Sequence, residues 1–152
     1  MKTRPQVRVN FETLKLQDPD ENGNCNTEYV QVRIHGNYLR NFLKDDVQVT
    51  GGVSGSSLPT LCGTLDAQHI IYTPFPNFPA RLSVVTDQRT GSSSTAAWRI
   101  RVDQFECDSP VLAPEGCLQY YTGIVGNVSS FNWKTTDNTL ADTNPNQISS
   151  LK

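Results

Sequence analysis

The 152-residue sequence predicts an all-β protein, an antiparallel sandwich or barrel with one solvated sheet side. Three observations carry this. Apolar residues recur with the strand period of two in segment after segment. Turn formers separate those segments: Gly occurs 10 times and Pro 9 times, and Asn, Ser and Thr are plentiful. No alternation of helical and strand patterns suggests a parallel α/β fold. Together they point to roughly six to nine short strands joined by turns.

The elements follow in order. Val7, Val9 and Phe11 alternate with Arg8 and Asn10, and Leu14 and Leu16 continue the apolar series, so the chain opens on a strand. The run QDPDENGN is a turn. Its carboxylates Asp18, Asp20 and Glu21 are read as hydrated, as are Asp45 and Asp46. TEYVQVRIHG forms a second strand through Val30, Val32 and Ile34, ending at Gly36. In NYLRNFLKDD, Tyr38, Leu39, Phe42 and Leu43 have the spacing of a helical turn but no convincing cap, so loop and helix both stand. LPTLCGT is a short strand into a glycine turn, and HIIYT is another strand. The prolines of PFPNFPARL forbid regular pairing there. Leu82 and Val84 share a strand face ending at Asp87. WRIRVDQFEC is the cleanest strand: Trp98, Ile100 and Val102 face one way, Arg99, Arg101 and Asp103 the other, with Trp98 expected in the core.

Composition excludes several functions. A net charge of -2 offers no basic field for nucleic acid or an anionic membrane. No apolar run approaches the ~20 residues of a transmembrane helix. The first ten residues hold basic side chains but no apolar stretch behind them, so no signal peptide is read in the chain. The cysteines Cys25, Cys62, Cys107 and Cys117, with the sequon Asn127-Val128-Ser129, argue instead for a secretory route. Both observations hold if the natural start lies upstream.

WRIRVDQFEC, then APEGCLQYYTG and SFNW, resembles the CUB modules of arthropod secreted proteins. VRVNFETLKL, CNTE, LCGT, DAQH and LSVVTD agree in order. The resemblance implies a jelly-roll β-sandwich over residues 5–107, a Pro-containing linker at 108–116, and the start of a second CUB-like module at 117–152 whose polar tail is expected to be disordered. It also implies disulfides between first and second and between third and fourth cysteines. Cys62 and Cys107 match the third and fourth. Cys25 matches the second and lacks its counterpart near Pro5, while Cys117 matches the first cysteine of the next module. Pairing of Cys25 with Cys117 is the alternative.

Many CUB modules bind calcium, and two ligand positions carry over: Glu28, three residues after Cys25, and Asp87, at the end of LSVVTD. The third acidic position falls in the altered opening segment. The competing reading makes Glu28 a surface strand residue and Asp87 a turn former. His35 and His69 allow a hydrolytic triad only on paper, because no nucleophile-elbow motif accompanies them. Tyr72, Phe75 and Phe78 in a proline-stiffened loop could anchor a partner or pack beneath the sandwich. Asn127 is the expected glycosylation acceptor. The function implied is non-catalytic, extracellular recognition of a protein or glycan through sandwich-end loops, assisted by calcium. Two alternatives remain: an accessory arm of a larger secreted protease, or a divergent truncated copy without activity.

Overall fold

The computed structural model describes residues 5–34, 47–48, 60–73, 80–87, 96–114, 117–134 and 139–140. Among these, every regular element is a strand: β1 (Gln6–Lys15), β2 (Tyr29–Ile34), β3 (Val47–Gln48), β4 (Gln68–Tyr72), β5 (Ala80–Val85), β6 (Ala97–Phe105), β7 (Trp133–Lys134) and β8 (Thr139–Leu140). All pairings are antiparallel. One three-stranded sheet has the order β4-β1-β6, the other β3-β2-β5, and β7 pairs with β8.

Alternation builds the first sheet. Val7, Val9 and Phe11 of β1 turn inward and are buried. A register shift between Phe11 and Thr13 then resets the parity, so Leu14 also points inward. The turn after Leu65 meets this irregularity. Asp66 Oδ1 accepts the Leu14 amide at 2.8 Å, and the Ala67 amide donates to the Phe11 carbonyl at 2.8 Å. Ala67 takes a left-handed φ of 62° to do so.

Val30 and Val32 of β2, with Leu82 and Val84 of β5, close the opposite layer of the same core. Leu61 pairs with Val30 and Thr64 with Lys15, so the segment 61–65 crosses from one sheet to the other. The Leu61 and Val30 amides exchange hydrogen bonds at 3.0 and 2.8 Å. Cys25 and Cys62 stand at that crossing, Cα atoms 5.7 Å apart, and form a disulfide.

This corrects the expected cysteine pairing. Cys62 is bonded to Cys25, not to Cys107, and Cys25 is not bonded to Cys117. The physical reason is the Val30–Leu61 bridge, which fixes the two chain segments side by side, whereas Cys107 lies exposed beyond the end of β6. Cys117 is a buried thiol.

Trp98 is also corrected. It faces the same side as Leu14, its partner on β1, yet is 56% exposed, and Val102 opposite Val9 is 49% exposed. Alternation along β6 holds, but among the described residues the strand is the sheet edge and no second-layer strand pairs beyond it. Leu118 and Phe131, from the segment expected to begin a second module, lie in the same core as Val9 and Phe11. His35, Asp45, Asp46, Phe75, Phe78, the helix-or-loop stretch 37–46 and the tail 141–152 fall outside the described residues.

Candidate functional site

The segment 113–132 is strapped along β4 and the outer face of β1. Gln6 on β1 grips its start, with Nε2 donating to the Ala113 carbonyl and Oε1 accepting the Ala113 amide, both at 2.8 Å. Ile71 donates its amide to the Leu118 carbonyl at 2.7 Å. Gln119 is fully buried, and its Nε2 donates to Gln68 Oε1 at 2.9 Å and to the His69 carbonyl at 3.0 Å. Gln68 passes the chain on: its Nε2 donates to Ser129 Oγ at 3.0 Å and to the Ser129 carbonyl at 3.3 Å. Phe131 enters the core, and Asn132 lies buried against Gly63.

Gly63 has a φ of +86°, and a Cβ there would sit 2.1 Å from Asn132 Oδ1. A side chain at this position would be strained and would displace Asn132. The LCGT glycine is therefore the seat of the SFNW asparagine, a contact across sequence that spacing could not reveal.

Between the anchors at Gln119 and Ser129 the chain bulges outward. Tyr121–Val128 is exposed throughout, with Ile124 and Val125 at the tip almost wholly in solvent. Beneath the bulge lies an open cleft of about 420 Å³, lined by Arg8, Tyr120, Tyr121, Ile124, Val125 and Val128 among others. Gly123 and Gly126 flank the aliphatic pair, and Asn127 is exposed beside it.

His69 is the keystone of the base. It is 2% exposed, its Nε2 accepts the Tyr120 amide at 3.0 Å, and its ring meets Tyr121 edge-on at 4.9 Å. Arg8 lies 3.3 Å from Nδ1. Burial, reinforced by the Arg8 charge, lowers its pKa to about 4, so the ring is neutral at pH 7. Because Nε2 holds a backbone amide and Nδ1 faces a cation, this histidine positions chain; it is not placed as a general base.

Of the two expected calcium ligands, Glu28 meets the main-chain amide of Asp87. Glu28 is fully buried at the entrance to β2; its Oε2 accepts the Gln17 amide at 2.8 Å and its Oε1 the Asp87 amide at 3.4 Å. The expectation of a surface Glu28 is thus corrected. The fit to calcium is poor. Both carboxylate oxygens serve backbone donors, and no group of three or more His, Cys, Asp or Glu suited to a metal occurs among the described residues. Calcium asks for about six to eight oxygens. What the pair visibly does is tie the end of β1 to the end of β5.

Two further assignments follow, one from burial and one from hydrogen bonding. Tyr72 is a core residue, with burial raising its pKa. Asp20 organises the DENGN turn: the Asn24 amide is the main influence lowering its pKa, and the side chains of Asn24 and Asn26 and the Asn22 amide act in the same direction.

The strapped segment is also where the chain matches a known family. Residues 114–152 match the animal CUB domain. The match is one of similarity over that stretch, and the antiparallel all-β architecture around it agrees with such a β-sandwich. No curated protein and no solved structure matches the chain.

Proposed function

We propose that this chain is a non-catalytic extracellular recognition module that binds a protein or glycan through the Tyr121–Val128 loop. One observation carries the reading: an aliphatic tip, Ile124 and Val125, is held out in solvent on a base of buried polar anchors. Anchors at both ends limit the conformations the loop gives up when a partner docks, which lowers the entropic cost of binding. Animal CUB domains are generally extracellular binding modules, and the match includes this loop. The Cys25–Cys62 bridge suits an oxidising compartment. Asn127, exposed next to the tip, is the acceptor we assign to the sequon, so a glycan there would frame one side of the contact.

The test is a binding screen of the secreted chain against extracellular proteins and glycans, repeated with Ile124→Ser and Val125→Ser combined. Binding should fall at least about tenfold while the melting temperature holds, because both residues are already in water. Unchanged binding by the double variant removes the loop from the function. In the same preparation, millimolar calcium should leave the melting temperature essentially unmoved; a rise of several degrees would restore Glu28 and Asp87 as ligands.

A further inference from the structure

We propose that β6 is a self-association edge, on which a second copy of this chain adds its own β6 antiparallel about a two-fold axis through Val102. The inference is independent of the loop and its partner.

Among the described residues β6 pairs with β1 alone, and its far edge over Ala97–Phe105 takes no strand partner from them. An edge of that length, with an apolar side, invites another strand. The inner side carries Trp98 at 56% and Val102 at 49% exposure, continuing the core surface beyond its cover. Charge does not blunt this edge as it commonly does elsewhere. Arg99 and Arg101 are engaged by Glu12 of β1 at 2.8 and 3.8 Å, and Arg101 also by Asp103 at 3.2 Å.

The order of charges selects both the occupant and the register. In a two-fold antiparallel pair one residue faces itself and its neighbours exchange partners. An axis through Ile100 sets Arg99 against Arg101 of the other copy. Through Arg101, that arginine meets itself, and through Asp103 the aspartate does. Like charges directly opposite are destabilising. An axis through Val102 avoids every such clash. It sets Arg101 against Asp103 twice, Arg99 against Phe105 twice, and Val102 against Val102. The first contact is an ion pair added to an existing ladder, the second a cation over an aromatic ring, and the third covers the exposed valine. Axes through Trp98 or Gln104 also oppose no like charges but leave most of β6 unpaired. The Val102 axis is thus the clash-free register that pairs the strand with itself over most of its length, which makes a second copy the fitting occupant.

The experiment is sedimentation of the intact chain over a range of concentrations, with cysteine mapping of the contact. The wild-type chain should dimerise, and its β6 amides should gain exchange protection as concentration rises. Val102→Cys should oxidise to a dimer in which mass mapping joins residue 102 of one copy to residue 102 of the other, since directly opposed strand residues lie within disulfide reach. Arg101→Cys mixed with Asp103→Cys should cross-link several-fold more than either alone. Val102→Lys should raise the dimer dissociation constant at least about tenfold with the fold intact. A chain that stays monomeric, or a dimer whose bridges map away from 102 or to another register, overturns the proposal. The mapping decides even where the lysine variant fails to fold.

Discussion

The two flanks of β1 contrast. On the β4 side, the neighbouring strand is itself covered. Leu118 bonds the Ile71 amide, Gln119 and Ser129 hold Gln68, and Phe131 plugs the core. On the β6 side no further strand follows among the described residues, and Trp98 and Val102 are about half exposed. Both flanks pair with the same central strand by the same antiparallel ladder. The difference is what lies over the neighbour. Backbone pairing forms a sheet on either side, but only a chain segment with its own apolar and amide anchors turns a sheet face into core. Stability should therefore be concentrated on the β4 flank and be lowest along β6.

The strongest way to break this contrast is Phe131→Ala. Phe131 is 1% exposed and packs with β1 and β2 residues, so its truncation should cost about 3–5 kcal/mol. The whole chain should then melt earlier in a single transition by circular dichroism. A variant whose β-sheet signal melts unchanged would show that the strap is an appendage with no share in the core.

Next in size is the staple at the crossing between sheets. Replacing Cys25 and Cys62 together with serine opens a link spanning 37 residues and should cost about 2–4 kcal/mol, read from denaturant unfolding. The effect should appear under non-reducing conditions, where Cys107→Ser, at an exposed position, should shift the midpoint far less. Equal losses would return Cys107 to the structural framework.

These particulars show what sequence could and could not reveal. β1, β2 and β6 were legible from their alternation and β4 as a short apolar run, but β5 only from Leu82. The prolines of PFPNFPARL were expected to forbid pairing there, yet Ala80, Arg81 and Leu82 pair with Ile34, Arg33 and Val32, because every proline precedes the strand. Even the parity change after Phe11 is visible as the apolar spacing from Phe11 to Leu14. The burial of Trp98 was not legible. Alternation tells which face a side chain takes, whereas coverage of that face depends on whether a second layer reaches the edge. The cysteine pairing failed similarly. The order of cysteines along the chain matched a family pattern, but proximity was decided by the Val30–Leu61 bridge, a contact between distant residues. The seating of Asn132 on Gly63 and the grip of Gln6 on Ala113 are likewise long-range, and amide side chains have no periodic signature to announce them. Of the expected site, the pair Glu28 and Asp87 was named from the resemblance. Its use as a backbone tie was not, because hydrogen bonds to main-chain amides are invisible in side-chain identities.

A smaller effect sharpens the contrast through pH. Burial and then the Arg8 charge hold the His69 pKa at about 4, below its ordinary 6.5. Between these values the unfolded chain binds a proton that the folded chain refuses. This contribution to stability is therefore complete above about pH 6.5 and is lost as pH falls toward about 4. A proton on Nε2 would also oppose the Tyr120 amide directly, so the loss should be felt first in the loop base. Proteolysis at 120–128 should accelerate in that window before the sheets melt. His69→Gln retains an acceptor without the titration and should flatten the dependence; a wild-type slope in that variant would place the acid sensitivity elsewhere.

The smallest expected effect is the most discriminating. Trp98→Ala removes the largest side chain on β6, yet in dilute solution it should cost less than about 1 kcal/mol, since more than half of the residue is already in water. A buried aromatic would cost several times that. The cost should grow with protein concentration if the edge is covered by another copy, because the indole lies on the inner side of the strand that would be joined. Melting curves of wild type and Trp98→Ala across a concentration series thus separate three cases. A small constant difference leaves the edge open. A difference that widens with concentration means the edge is closed by self-pairing. A large difference at every concentration means the indole is covered within the single chain, and the contrast between the two flanks of β1 disappears.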